Sequence, residues 1–217
     1  MNNEKIDRMI QILARESKKW TTPIVTVIAE SKDPYRVLIS TLLSLRTKDE
    51  TTAKASEQLF KLADAPRAML RLRRKQIERA IFPVGFYHTK AKRILEISKR
   101  LLDEYDGRVP DEIDELLKLK GVGRKTANLV VTLGYGKLGI CVDTHVHRIS
   151  NRLGIVKTKT PEQTEFALRK ILPKKYWIQY NDLLVSFGQS LCRPTSPWCS
   201  KCPIESDCPK IAVVRSR

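Results

Sequence analysis

The stretch Leu119-Lys120-Gly121-Val122-Gly123-Arg124-Lys125-Thr126-Ala127 constrains this chain most, because it reads as a tight turn joining two helices. Before it, Ile113, Leu116 and Leu117 recur at helical spacing behind the start signal Pro110-Asp111. Gly121 and Gly123 then end that helix, and both are expected to supply the positive φ angles and bare backbone of the turn. The next helix opens at Arg124 with its first N–H groups facing outward. Such a turn is an anion site, suited to a nucleic-acid phosphate.

Charge supports that reading. The 217 residues carry 41 Lys and Arg against 24 acids, a net +17 that repels itself unless a polyanion completes the working state. An anionic membrane surface is the competitor, but no apolar run approaches the ~18 residues needed to span a bilayer. Glu4, Lys5, Asp7 and Arg8 leave no signal-peptide core at the N-terminus, so the expected location is the cytoplasm, with the nucleoid. At 41% apolar content a packed core is expected, in one large domain or two small ones.

The periodicity is helical throughout. Ile6, Met9, Ile10 and Leu13 form an amphipathic first helix ending near Lys18-Lys19-Trp20. Asp33-Pro34 caps a helix from Tyr35 to about Leu45, apolar on nearly all sides and therefore buried. Thr47-Lys48-Asp49-Glu50 fits a capping box leading into 51–62, which makes Thr47 and Asp49 caps rather than catalytic groups. Bases crowd 67–79, read as a solvated helix face. Pro83-Val84-Gly85-Phe86-Tyr87 breaks the pattern before a helix from Thr89 to about Tyr105. Phe86, in that break, reads either as a core ring or as a wedge between bases. Beyond the turn, 128–133 is a buried helix, Asp143 starts another that Gly154 closes, Thr160-Pro161-Glu162 opens one to about Ile171, and Trp177 to Ser190 is the last long one. With no convincing strand, the fold class is all-α.

Cys192, Cys199, Cys202 and Cys208 have six, two and five residues between them, with Pro194, Pro197 and Pro203 holding the segment in a compact loop. Four thiolates can close round a soft metal centre, either structural zinc or an iron–sulfur cluster. Only Cys199 and Cys202 form a close pair, whereas zinc sites generally come as two, which favours the cluster. Cys141, in an apolar run, reads as an inert core thiol.

Together, LKGVGRKTA, VDTHVHR and C-x6-C-x2-C-x5-C resemble, in order and spacing, the endonuclease III family of DNA glycosylases, over nearly the whole chain. The resemblance implies two helical domains, a six-helix barrel over 24–138 carrying the helix-hairpin-helix and a second domain from 1–23 with 139–217, and DNA lying across the groove between them. It implies a monomer acting on double-stranded DNA that contains damaged pyrimidines or abasic sites. It also implies a 4Fe-4S cluster on the four cysteines, whose loop presents Arg193 and Lys201 to the DNA backbone. Lys125 matches the family's catalytic lysine, Asp143 its essential aspartate, Gly121, Val122 and Gly123 its hairpin, and Phe86 its wedge position. Two positions depart from the family's pattern. Arg46 stands where many members have a glutamine that fills the gap left by the extruded nucleotide. Lys120 replaces a common proline, adding a phosphate contact at some loss of turn rigidity.

The implied chemistry needs an amine that is neutral when it attacks, and a lysine at a helix start among other cations suits it. Asp143 would stabilise positive charge at C1′ and also cap its helix. Two rivals are a monofunctional mismatch glycosylase, whose members lack a lysine at the position of Lys125, and a non-catalytic DNA-binding module gripping phosphates with the hairpin.

Overall fold

The computed structural model describes residues 3–217, in which twelve α-helices run in chain order with short π and 3-10 turns and no strand among the described residues. They are α1 (Asn3–Ser17), α2 (Ile24–Ala29), α3 (Pro34–Ser44), α4 (Asp49–Leu62), α5 (Pro66–Met69) and α6 (Arg74–Ile81). There follow α7 (Tyr87–Tyr105), α8 (Ile113–Leu117), α9 (Arg124–Leu129), α10 (Thr144–Arg152), α11 (Pro161–Ile171) and α12 (Gln179–Ser190). The chain divides into two compact units, one of residues 24–137 and one that joins the N-terminal segment up to Pro23 to 138–217.

In the 24–137 unit, α3 is the central helix, packed by α2, α4, α7 and α9. Its start is local chemistry: the Asp33 carboxylate accepts from the Tyr35 and Arg36 N–H groups, and Pro34 occupies the first turn, where its missing N–H costs nothing. Tyr35 and every residue from Val37 to Leu43 is buried, Val37, Leu38 and Ile39 completely. Truncating Leu38 or Ile39 to alanine would cost about 2–5 kcal/mol. Helix α9 continues as a π turn over Val130–Gly134, so the β-branched run is helical and buried as its lack of alternation predicts.

The capping box expected at Thr47 does not form. Helix α4 begins at Asp49 with Lys48 in the cap position and no side-chain cap hydrogen bond. Thr47 Oγ1 instead accepts from Gly85 N–H at 3.2 Å and from Lys90 Nζ at 3.2 Å. A local pattern has been overridden by partners 38 and 43 residues away.

In the other unit, α12 packs on α10 and α1, and α10 on α11. Ile6, Met9, Ile10 and Leu13 turn the stripe of α1 into a core with Ile149, Leu168, Tyr180, Leu184 and Phe187. Cys141 is buried and forms no disulfide. Asp7 fastens α1 to the turn before α12, accepting from Tyr176 Oη and pairing with Lys175.

Candidate active site and cysteine pocket

The turn after α8 is closed by Val122 N–H donating to Leu119 O at 3.0 Å. Leu119 and Val122 are buried beneath it, whereas Lys120, Gly121 and Gly123 are exposed. Val122 therefore anchors the hairpin from below. Gly121 has φ +91°, the region where glycine alone is at ease. Gly123 differs from the expectation: at φ −100°, ψ 175° it is extended, and a Cβ there would meet nothing within 4 Å. Its bareness opens the backbone to close approach instead of satisfying the turn. Arg124 and Lys125, both half-buried, occupy the first turn of α9, and Thr126–Leu129 behind them are buried. Lys125 thus stands on a helix pinned to the core of the 24–137 unit.

The same unit carries a second pair of turns. Arg46 and Phe86 both sit in the left-handed region, at φ 54° and 59°, and both are exposed. Phe86 is 62% exposed, so of its two readings the core ring does not hold. The Arg46 guanidinium lies 5.7 Å from the centre of the Phe86 ring, within cation–π range. The turns approach closely at Gly85, where a Cβ would come within 2.8 Å of Arg46 O.

In the other unit, Asp143 is the N-cap of α10, its Oδ1 accepting from His145 N–H at 2.8 Å and Val146 N–H at 2.9 Å. Cys192, Cys199, Cys202 and Cys208 line one pocket of this unit, with Arg152, Leu153, Trp198 and Lys210. Among the described residues no group of three His, Cys, Asp or Glu is gathered tightly enough for a single metal ion. Four thiols lining one pocket are the donor set of a soft metal centre, an iron–sulfur cluster or a zinc ion. Hydrogen-bond donors already face the sulfurs. Arg152 Nη1 donates to Cys192 Sγ at 3.2 Å, and Lys210 N–H donates to Cys208 Sγ at 3.4 Å. Arg152 also donates to Arg193 O and Pro194 O, holding the loop. Burial pushes the Cys202 thiol up to about 11, so ligation there releases a proton. Arg193 is exposed, and Lys201, also exposed, lies with its Nζ 5.0 Å from the Trp198 ring centre.

Sequence reasoning missed Arg152 and Lys90. Each is one base among many on a helix, and only packing shows it to be buried against backbone carbonyls.

The all-helical fold and the hairpin have a counterpart among known proteins: residues 39–174 match the HhH-GPD superfamily of base excision DNA repair proteins, and the chain belongs to it. Within that superfamily its family is endonuclease III. Endonuclease III of Thermotoga maritima is 52% identical over 176 residues, 81% of this chain and 83% of that protein. A chloroplastic endonuclease III homolog of Arabidopsis thaliana is 46% identical over 184 residues, and the chain spans about half of that longer relative, 48%. A solved structure of a trapped endonuclease III–DNA covalent intermediate superposes with a TM-score of 0.85 at 32% identity, covering 97% of each chain. The chain is accordingly an enzyme of base excision repair, a DNA glycosylase.

Proposed function

We propose that this chain is a bifunctional DNA glycosylase and abasic-site lyase that removes oxidised pyrimidines of the thymine-glycol type from duplex DNA. The observation that carries the reading is Lys125, half-buried in the first turn of a core-anchored helix directly behind the exposed hairpin glycines. The trapped covalent complex of the related endonuclease III supports it. The exposed Lys120, Gly121 and Gly123 hold a backbone phosphate. Phe86 enters the stack and Arg46 occupies the space of the displaced nucleotide, because the reacting carbon is out of reach inside the duplex.

Lys125 Nζ, having lost a proton, then attacks C1′; the N–C1′ bond forms as the glycosidic bond breaks, and the base leaves with the bonding pair and takes up a proton. Asp143 stabilises the positive charge that develops at the sugar. The sugar ring then opens: the C1′–O4′ bond breaks with its pair on O4′, which takes up a proton, and the Nζ lone pair closes the Schiff base, which acidifies C2′. Loss of the C2′ proton expels the 3′ phosphate, and water releases Lys125. Cys192, Cys199, Cys202 and Cys208 hold a 4Fe-4S cluster that braces the loop bearing Arg193 and Lys201, which face the DNA backbone. The working partner is double-stranded DNA bound by a monomer.

Borohydride reduction tests the lysine. It is expected to trap a covalent complex between the protein and abasic DNA, and Lys125→Ala is expected to abolish it. Trapping that persists in the variant assigns the nucleophile elsewhere, and binding of thymine-glycol DNA without scission favours a non-catalytic module.

A further inference from the structure

Lys90 lies in the first turns of α7, only 9% exposed, and carries an ammonium that the proposed chemistry does not use. A buried cation is expensive unless each of its protons is received. Here all three are. Nζ donates to Leu43 O at 2.8 Å, to Leu45 O at 2.6 Å and to Thr47 Oγ1 at 3.2 Å. Leu43 and Leu45 stand at the C-terminus of α3, where carbonyls lack partners within the helix and a cation is favoured by the helix dipole. Burial pushes the ammonium down to about 8, so it is still charged at neutral pH.

The third acceptor links this anchor to the surface. Thr47 Oγ1 also receives Gly85 N–H at 3.2 Å, so one oxygen joins the turn that displays Arg46 to the turn that displays Phe86. Both displayed residues hold left-handed backbones, which are strained for residues other than glycine and persist only where the surroundings impose them. The constraint common to the two is Lys90, reached directly from Leu45 and Thr47 on either side of Arg46 and through Thr47 from Gly85 beside Phe86.

We propose that Lys90 is a positioning residue: its ammonium locks the Arg46 turn to the Phe86 turn, and the protein's ability to open a duplex depends on that lock while the lysine chemistry of Lys125 does not. An apolar side chain of similar length would fill most of the same space but take one donor from each of the three acceptors, leaving Thr47 Oγ1 only Gly85 N–H and Leu45 O only the Thr47 hydroxyl. The role in duplex opening rests on the function proposed above; the locking of the two turns stands on geometry alone.

Two variants test it, Lys90→Met, which keeps most of the length and removes the donors, and Thr47→Val, which keeps shape and removes the shared oxygen. Each is compared with wild type in three measurements: borohydride trapping on single-stranded abasic DNA, excision from thymine-glycol duplex with 2-aminopurine beside the lesion, and the fluorine resonance of a 4-fluorophenylalanine at position 86 in the free protein. Trapping on the single strand is expected to stay within about twofold of wild type. Excision from the duplex and the 2-aminopurine signal are expected to fall about tenfold or more. The fluorine resonance is expected to move toward its unfolded position. Should Lys90→Met not fold, Thr47→Val alone decides. A variant whose duplex excision and fluorine resonance match wild type overturns the proposal, as does an equal fall on single-stranded and duplex DNA, which would mark a general loss of structure. If wild type itself traps nothing, the function proposed above fails, and the fluorine resonance still decides whether Lys90 holds the turns.

Discussion

Asp143 caps α10 and, in the function proposed above, also stabilises charge at the sugar, and one substitution can separate the two. Its Oδ1 caps α10 by receiving two N–H groups, and an asparagine oxygen can do the same. Asp143→Asn is therefore expected to keep its unfolding free energy within about 1 kcal/mol of wild type while losing excision, since the negative charge is gone. Asp143→Ala should lose excision and also about 1 kcal/mol of stability, read by urea denaturation. Gly85 and Gly123 make a second contrast. Gly85→Ala drives a Cβ to 2.8 Å from Arg46 O, a backbone atom with no freedom to swing away, and is expected to cost about 1–3 kcal/mol. Gly123→Ala meets nothing and has an ordinary φ, so its stability should be unchanged or slightly raised, and any lost DNA affinity would report close approach of the phosphate.

At the scale of elements, α1 is held by its apolar stripe and by Asp7, whose carboxyl is drawn below its ordinary 3.8 by hydrogen bonds from Lys175 and Tyr176. A carboxylate with a depressed folded pKa contributes stability that is present above about 3.8 and disappears as the pH falls through the lowered value. Asp7→Asn is thus expected to lower the melting temperature at pH 7 and to converge on wild type in calorimetric scans as the pH falls below the lowered value. A gap that stayed constant with pH would assign the effect to packing. The helix starts were largely legible in the sequence: Asp33, Asp143 and Thr160 are all caps with side-chain hydrogen bonds, because a cap depends only on residues two or three positions away. Thr47 was misread for the converse reason. Its partners are Gly85 and Lys90, and no local pattern can show them.

For the whole molecule, the cysteine segment draws together α10 through Arg152, the loop from Cys192 to Pro194, and the chain end at Lys210. A metal centre there would contribute folding energy to the unit that also contains α1. Cys202→Ser is expected to lose visible absorbance, to carry fewer than the about four irons expected per wild-type chain, and to melt earlier. A colourless wild-type protein with a single zinc would reverse the cluster assignment and leave the four-thiol pocket as a zinc site.

The sequence by itself determined the helical class, most helix boundaries, the family and the residues to suspect, since periodicity, caps and short motifs are properties of neighbours along the chain. Tertiary structure alone decided that Gly123 is extended, that Phe86 faces solvent, that four thiols share one hollow and that Lys90 lies buried under two exposed turns. Those outcomes depend on which distant groups fill a space or receive a proton. The hairpin marks the division well: its motif announces a turn, and only the packing of Leu119 and Val122 beneath it leaves Gly121 and Gly123 at the surface with Lys125 behind them.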